Sequence, residues 1–321
     1  MIEYIMLIIG ISLLLKGSDY LVEGSSSLAK KLGISTLVVG LTVVAFGTSL
    51  PELIVNLVAA LKDSGDIALG NIVGSSMANT LLVLGIMALM IHPKVKSSTT
   101  WKEIPFSFLA ALVLFIFSIR TFLGGDSENL LSRSDGMILL LFFIIFMYYI
   151  FEMIKKDKRL KKETEMAATT EYSGRRQALM IIGGLMALYL GGRWTVDGAV
   201  IIAETFGLSE YLISATIIAV GSSLPELAIT VTSALKNKVG LGVGNIIGSN
   251  IFNIFWVLGI TSIIRPIRIP SFLAIDLALL LFSTALLFTF MFTSKKNELD
   301  RWEGAVLLLC YITYISLMII R

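Results

Sequence analysis

The stretch Gly47-Thr48-Ser49-Leu50-Pro51-Glu52 lies in the middle of an apolar run that extends from Ile34 to Leu61. A glutamate at the centre of a membrane-spanning helix costs roughly 2–4 kcal/mol to insert, so a residue of this kind usually serves a function. Pro51 lacks a backbone donor and leaves the carbonyl of Gly47, four residues earlier, without its helical partner. One turn therefore offers a carboxylate, two hydroxyls and a free carbonyl. Because hard cations bind oxygen ligands, this turn predicts a cation site inside the membrane.

The same stretch occurs a second time in the chain. Gly221-Ser222-Ser223-Leu224-Pro225-Glu226 follows the first copy at an offset of 174 residues, and the register holds without a gap from Gly33–Met90 to Gly207–Ile264. In this alignment 23 of the 58 positions are identical. The two halves of the chain are therefore an internal duplication, and each half carries one oxygen-rich turn.

The composition indicates a membrane protein, because 56% of the residues are hydrophobic and only 15% are charged. Apolar runs of about 20 residues are long enough to cross a hydrocarbon core of ~30 Å as helices. A net charge of +3 is too small to favour a nucleic-acid partner. The sequence predicts an all-α membrane protein with ten transmembrane helices, at residues 2–22, 34–61, 67–91, 104–122, 135–154, 177–200, 210–235, 239–264, 271–293 and 302–320.

The ten predicted spans divide into two sets of five. Because five is odd, the second set enters the membrane from the opposite side, which predicts an inverted-topology repeat with its binding site near the midplane, where the halves meet. We expect the first five-helix repeat at 1–154, a cytoplasmic linker at 155–176 and the second repeat at 177–321. The linker has mixed charge and is expected to be a solvated loop, with a lipid-headgroup contact as the alternative.

The lysines and arginines predict the orientation of the helices. If the N-terminus is outside, 18 of these residues lie on the cytoplasmic side and 6 on the outer side, with two more inside spans. Because cytoplasmic loops carry the excess of Lys and Arg, both termini are expected outside.

Charged side chains also lie within the first and sixth spans. Lys16, Asp19 and Glu23 have helical spacing, which favours an ion pair and an interfacial carboxylate, with a funnel for cations as the alternative. The 174-residue offset pairs Glu23 with Asp197 but Asp19 with Arg193. Asp19 is therefore a poor candidate for a duplicated ion site.

A second duplicated motif lies in the third and eighth spans. Gly70-Asn71-Ile72-Val73-Gly74-Ser75-Ser76-Met77-Ala78-Asn79 places Asn71, Ser75 and Asn79 four residues apart, hence on one helix face. A polar seam between helices is the alternative, but beside two midplane glutamates the pattern favours an ion site. The matching motif of the second half is Gly244-Asn245-Ile246-Ile247-Gly248-Ser249-Asn250-Ile251-Phe252-Asn253, with Asn245, Ser249 and Asn253 on the corresponding face.

Together the two duplicated motifs resemble the alpha repeats of sodium/calcium exchangers, within the cation/calcium antiporter superfamily. The resemblance extends over nearly the whole chain and is to the prokaryotic type with a short central loop. It implies a prokaryotic cell-membrane antiporter with the alpha-repeat helices at the centre and alternating access by sliding of the first and sixth helices. It also implies Na⁺ and Ca²⁺ as transported ions, lipid as surroundings, and neither a cofactor nor an obligate protein partner.

The resemblance assigns ligand roles residue by residue. Glu52 and Glu226 look like the central carboxylates that bind calcium. Asn253 stands where several family members have an aspartate, so a proton-sensitive step is absent here if that aspartate titrates. The other positions implied are Thr48 and Ser222 (a carbonyl and a hydroxyl each), Ala45 and Ala219 (sodium-binding carbonyls), Ser49, Ser223, Ser75 and Ser249 (side-chain oxygens) and Asn79 (an amide oxygen).

The oxygens of the predicted site favour an exchange of three Na⁺ for one Ca²⁺, because the duplicated hydroxyl and carbonyl sets around Thr48, Ser75, Ser222 and Ser249 are enough for more than two small ions. Two glutamates give the pocket a charge of −2, which one Ca²⁺ or two Na⁺ neutralise and three Na⁺ convert to +1. Proton-coupled or potassium-dependent calcium antiport and a cation channel are the alternatives. An enzyme is not expected, because His92 is the only histidine and no paired aspartates accompany it.

Overall fold

A computed structural model describes residues 2–62, 64–120, 129–161, 172–207, 219–270 and 273–320. Helices occupy nearly all of this part of the chain, which confirms the all-α class. Ten of them are numbered here in chain order: α1 (Ile2–Leu32), α2 (Thr36–Leu61), α3 (residues 65–91), α4 (Thr99–Ser118), α5 (Arg133–Lys161), α6 (Gly174–Thr205), α7 (Leu224–Leu235), α8 (Val239–Ile264), α9 (Leu273–Thr293) and α10 (Arg301–Ile320).

Nine of the described helices are long and apolar enough to cross a membrane, and only α7 is shorter. The predicted seventh span, 210–235, lies partly at 208–218, outside the described residues. Large apolar side chains are exposed on the outer helices, for example Ile8, Ile144 and Leu179. Contact with lipid explains this exposure, because lipid tails solvate apolar side chains that water would not.

The helices α1 and α6 show directly that the repeats are inverted. They occupy equivalent positions in the two halves, yet a side chain added at Gly10 would meet the backbone of Gly191, and one added at Gly17 would meet that of Gly184. Rising numbers on α1 therefore face falling numbers on α6, so the two helices are antiparallel. Glycines spaced seven apart permit this close backbone approach.

The remaining contacts follow the same two-fold relation. The third helix of each half packs against the fifth helix of the other half, α3 against α10 and α8 against α5. The two fourth helices, α4 and α9, pack against each other. Because each interface has its equivalent, the ten helices form two inverted five-helix repeats that share one core.

The helices that carry the two motifs are irregular. In α2 the regular hydrogen bonding stops at Ser49, and a new segment begins at Leu50 with proline in its first turn. Ser223 is the equivalent break before α7. The helices α3 and α8 each contain a π-helical segment, at Ala78–Val83 and Phe252–Leu258. Such segments are rare and often occur at functional sites.

Several predicted boundaries differ from the observed ones. The helix α1 extends to Leu32 rather than residue 22, and α6 extends to Thr205 rather than residue 200. The helix α5 continues to Lys161, so it includes the start of the predicted linker 155–176, most of whose remainder lies outside the described residues. The predicted spans followed the apolar runs, whereas the added ends of α1 and α5 are mostly polar.

Two short antiparallel pairings join the loops and were not predicted. Leu130–Leu131 (β1) pairs with Ile267–Arg268 (β2), and Lys94 forms an isolated bridge with Glu298. These contacts satisfy backbone groups of loops that connect neighbouring helices.

Candidate functional site

The site contains two buried carboxylates, one from each repeat. Glu52 is 4% exposed and Glu226 is 2% exposed. Each lies in the first turn of the helical segment that follows the break at Ser49 or Ser223. The positive end of a helix dipole favours a carboxylate at that position, so the proline break helps to hold each negative charge inside the protein.

Two hydroxyl pairs join the repeats across the site. The Oγ1 of Thr48 lies 3.1 Å from the Oγ of Ser249, and the Oγ of Ser75 lies 3.2 Å from the Oγ of Ser222. The two pairs are equivalent in the two repeats, because Thr48 corresponds to Ser222 and Ser75 corresponds to Ser249 at the 174-residue offset. Each pair joins the broken helix of one repeat to the motif helix of the other repeat, so the site exists only where the repeats meet.

Thr48 makes further contacts that fix its position. Its hydroxyl lies 3.3 Å from the carbonyl oxygen of Ala45 and 3.3 Å from the Oδ1 of Asn245. The Ala45 carbonyl also accepts the backbone N–H of Ser49 at 3.0 Å. The Thr48 hydroxyl has a single proton and several acceptors in reach, so when it does not donate to Ala45, the second lone pair of that carbonyl is open to a cation.

Among the buried side-chain oxygens that have no hydrogen-bond partner in the described part of the chain, six belong to identical residues at repeat-related positions and form three symmetric pairs. An orphaned buried oxygen is costly unless a cation or a donor satisfies it, and two carboxylates with four neutral oxygens fit a set of ligands for hard cations. The pairs are Glu52 and Glu226 (Oε2), Ser49 and Ser223 (Oγ), and Asn79 and Asn253 (Oδ1).

The described residues contain no group of three or more His, Cys, Asp or Glu side chains that could hold a metal ion. The two glutamates thus act as a pair, surrounded by neutral oxygens. This donor set suits Ca²⁺ and Na⁺ better than the nitrogen and sulfur ligands that zinc prefers.

The structure brings part of the predicted set together. Thr48 contacts Ala45 and Ser249, Ser75 contacts Ser222, and one cavity is lined by Thr48, Glu52 and Ser222. The other predicted side chains are buried on the same central helices or at their breaks, namely Ser49, Asn79, Ser223, Glu226 and Asn253. Ala219 belongs to a short helical segment, Ala219–Gly221, that precedes the Ser223 break, and its side chain lies outside the described part.

A cavity of about 370 Å³ adjoins the site. It is lined by Thr48, Glu52 and Ser222 and also by the exposed residues Arg193 and Asp197 of α6. These two α6 residues form an ion pair, with Arg193 Nε 3.6 Å from Asp197 Oδ2. The cavity lies toward the ends of α2 and α6, and we call this side the cavity face.

Toward the opposite end of α1, ionic and polar contacts join α1 to α7 and to Lys236, the residue that follows it. Lys236 Nζ lies 2.5 Å from Asp19 Oδ1 and 2.6 Å from Glu23 Oε1. Ser18 and Thr232 add a hydroxyl contact of 2.7 Å one turn deeper. We call the three charged residues the Lys236 cluster. An ion pair of this kind therefore exists, but its cation is Lys236, just after α7, rather than Lys16, and it contacts both Asp19 and Glu23.

Comparison with known proteins identifies the chain. A model of the sodium/calcium exchanger protein family matches residues 2–152 and 176–320. The chain belongs to the sodium/calcium exchanger protein family. It is 36% identical over 326 residues to the putative antiporter CaxA of Alkalimonas amylolytica, with 98% of both chains covered. It is 28% identical to the sodium/calcium exchanger MaX1 of Methanosarcina acetivorans, with 99% of this chain and 98% of that one covered.

The fold matches a solved exchanger as well. Superposition on the sodium-calcium exchanger NCX_Mj, soaked with Na⁺ and Ca²⁺, gives a TM-score of 0.81 at 30% identity and covers 98% of each chain. As a member of this family, the chain is an integral membrane antiporter of the cation/Ca²⁺ type. The family consists of transporters and not of catalytic enzymes.

Sequence reasoning missed two features of this exchanger. The contacts of Lys236 with α1 were not predicted, although the identical lysine at the repeat-related position 62 indicated a duplicated feature. Asn250 was read as part of a motif, although its amide donates to Thr80 and accepts from Asn79. The repeat-related residue is Ser76, so the sequence signal for Asn250 was that the two repeats differ at this position.

Proposed function

We propose that this protein exchanges three Na⁺ for one Ca²⁺ across the membrane, with both ions bound at one site between the repeats. The three symmetric pairs of unpartnered buried oxygens around Glu52 and Glu226 carry the proposal. Ligands for Ca²⁺ would be the two carboxylates and nearby neutral oxygens such as Asn79. Ligands for Na⁺ would come from the hydroxyls and carbonyls of both repeats, namely Ala45, Thr48, Ser49, Ser75, Ala219, Ser222, Ser223 and Ser249, with Asn253 as a further neutral amide at the site.

Charge explains why the two ions would be exchanged rather than leak. A site with two unpaired carboxylates is costly to enclose in a dry protein, so the empty site resists the closed intermediate between the two open states. One Ca²⁺ or several Na⁺ remove that cost. Because both ions need the same carboxylates, they compete, and the gradient of one ion can drive the other.

The observed conformation corresponds to one half of an alternating-access cycle. With both termini outside, the cavity face is extracellular and the Lys236 cluster closes the cytoplasmic side. Ions from outside would reach Glu52 past the Arg193–Asp197 pair. The state that opens to the opposite side would arise when each repeat adopts the conformation that the other repeat has here, as inverted repeats allow. The functional units would be the repeats at 1–154 and 177–321, joined through 155–176.

Proton-coupled calcium export is the second candidate. A proton-coupled site needs a group that loses its proton on one side, and Asn253 supplies a neutral amide where several relatives in the family have an acid. Glu52 and Glu226 remain as titratable groups, so the two coupling ions need a direct comparison.

Purified protein in proteoliposomes separates the two candidates. Vesicles loaded with Na⁺ should accumulate ⁴⁵Ca²⁺ from a Na⁺-free medium, whereas vesicles that have only an outward proton gradient should not. Uptake driven by protons alone would overturn sodium coupling and leave the shared cation site intact.

A further inference from the structure

Asn79 is held in one orientation by a short chain of hydrogen bonds. Its Nδ2 donates to the Oδ1 of Asn250 at 3.1 Å, and the Nδ2 of Asn250 donates to the Oγ1 of Thr80 at 2.9 Å. The three side chains are 1%, 4% and 1% exposed, so water does not compete for these bonds. Both polar ends of the Asn250 amide are engaged within the protein.

This chain determines which end of the Asn79 amide is left free. An amide has a carbonyl oxygen that can bind a cation and an NH₂ group that cannot. Because Asn250 accepts from the NH₂ group, the Oδ1 of Asn79 is the end without a partner among the described residues. Asn79 lies one helical turn beyond Ser75, whose hydroxyl contacts Ser222 in the cavity wall.

The second repeat lacks an equivalent chain. The 174-residue offset places Ser76 at the position of Asn250 and Ile254 at the position of Thr80. Isoleucine has no hydrogen-bonding side chain, and the Ser76 hydroxyl has no partner among the described residues. The two amides at the site, Asn79 and Asn253, are therefore supported differently although their positions are equivalent.

We propose that Asn250 is a positioning residue that turns the carbonyl oxygen of Asn79 toward the transported calcium. The inference deepens the proposed function and rests on Asn79 being a calcium ligand. A fixed oxygen binds without first losing rotational freedom, so preorganisation raises affinity. Asn250 thus makes the calcium site asymmetric, with one oriented amide and one less constrained amide.

The first test replaces Asn250 with leucine, which has a similar volume but no hydrogen-bonding group. Asn250→Leu should raise the Ca²⁺ concentration for half-maximal ⁴⁵Ca²⁺ uptake about three- to tenfold, the effect of one lost hydrogen bond. The maximal rate per folded protein should change much less. Asn250→Ser, which copies the other repeat, should give the same shift if the leucine variant folds poorly.

Matched variants distinguish positioning from a general structural role. Ser76→Ala changes the equivalent buried position and should leave the half-saturating Ca²⁺ concentration within about twofold. Thr80→Val removes the acceptor for the Asn250 amide and should give a partial shift. Thr80→Ser keeps that acceptor and should restore the original value.

A double-mutant cycle decides whether Asn250 acts through Asn79. If it does, Asn79→Ala combined with Asn250→Leu should bind Ca²⁺ no more weakly than Asn79→Ala alone, within about twofold by calorimetry. Additive losses would overturn the inference, because they would mean that Asn250 acts independently. If Asn79→Ala itself leaves calcium affinity unchanged, the ligand assignment in the proposed function fails instead.

Discussion

The Nζ of Lys236 lies 2.6 Å from the Oε1 of Glu23, which links the end of α7 to the middle of α1. The same nitrogen also contacts Asp19. Burial disfavours the charge on Lys236, but its hydrogen bonds with Asp19 and Glu23 outweigh this and raise the pKa of Lys236 above its usual value. A base whose pKa is raised in the closed form stabilises that form at neutral pH and loses the effect only in strongly alkaline solution. We therefore expect the Lys236 cluster to favour closure of this face at the pH values used for transport assays.

We expect Lys236→Gln to favour the state that opens opposite the cavity face. Removing an exposed ion pair changes stability by about 0.2–1 kcal/mol, which shifts a two-state population by up to about fivefold. The cavity-lining residue Val55 has Ile229 as its repeat partner, which is fully buried here. Thiol labelling of Ile229→Cys, with Cys310→Ser to remove the native cysteine, should rise in the Lys236→Gln background.

Lys238→Gln is the control for that experiment. Lys238 is near Lys236 in the same loop but contacts no carboxylate in the described part of the chain, so its removal should leave labelling of Ile229→Cys unchanged. Equal labelling with and without the Lys236 charge would show that the cluster does not control opening.

Lys62 should have the opposite effect, because it is the repeat partner of Lys236. In the present conformation Asp197, the partner of Glu23, pairs with Arg193 on its own helix instead. When the cavity face closes, we expect Lys62 to reach Asp197 as Lys236 reaches Glu23. Lys62→Gln should therefore increase external labelling of Val55→Cys, roughly two- to fivefold. Unchanged labelling, with normal transport, would rule out this exchange of ion pairs.

Glu52→Gln and Glu226→Gln should each abolish exchange while the protein still inserts and folds. A glutamine leaves the site at −1 against a divalent cation and cannot coordinate through two anionic oxygens. We expect ⁴⁵Ca²⁺ uptake to fall at least about a hundredfold, which corresponds to about 3 kcal/mol. Glu152→Gln, at an exposed position on α5, is the control and should transport normally. Near-normal uptake by either site variant would remove that glutamate from the site.

Asn79→Ala should impair calcium transport more than Asn253→Ala. Asn79 is oriented by Asn250, whereas Asn253 has no equivalent support from Ser76 and Ile254. We expect an increase of about tenfold in half-saturating Ca²⁺ for Asn79→Ala and a smaller one for Asn253→Ala, measured in matched vesicles. If Asn253→Ala weakened calcium transport more than Asn79→Ala, the assignment of Asn79 as the oriented amide would be wrong.

The sequence predicted the central part of the site because each repeat reports on the other. A single glutamate next to proline in an apolar run could have several explanations. Its recurrence at the repeat-related position, as Glu52 and Glu226, indicates a shared function. The same duplication predicted the inverted topology. The site followed from the spacing of residues within each motif, and the inverted topology followed from the odd number of spans in each half.

Contacts between distant parts of the chain were harder to predict. Helical spacing suggested Lys16 as the cation near Asp19 and Glu23, whereas the actual partner is Lys236, more than 200 residues away in the chain. Asn250 differs from Ser76, and a difference between repeats has no meaning until the neighbouring side chains are known. The glycine spacing of α1 was readable from the sequence and would have indicated a closely packed partner helix.

Exchange should be electrogenic, with three Na⁺ leaving as one Ca²⁺ enters. The proposed site has two carboxylates, and Asn253 adds a neutral amide rather than a third acid, so bound calcium moves with a net charge near zero. Three sodium ions move with about +1, and the hydroxyls and carbonyls of both repeats provide enough oxygens for them. One charge crossing the membrane is worth about 2.3 kcal/mol per 100 mV. In Na⁺-loaded vesicles clamped with potassium and valinomycin, an inside-positive potential of about 100 mV should therefore accelerate ⁴⁵Ca²⁺ uptake and raise its endpoint. Voltage-independent uptake would mean that only two sodium ions are exchanged.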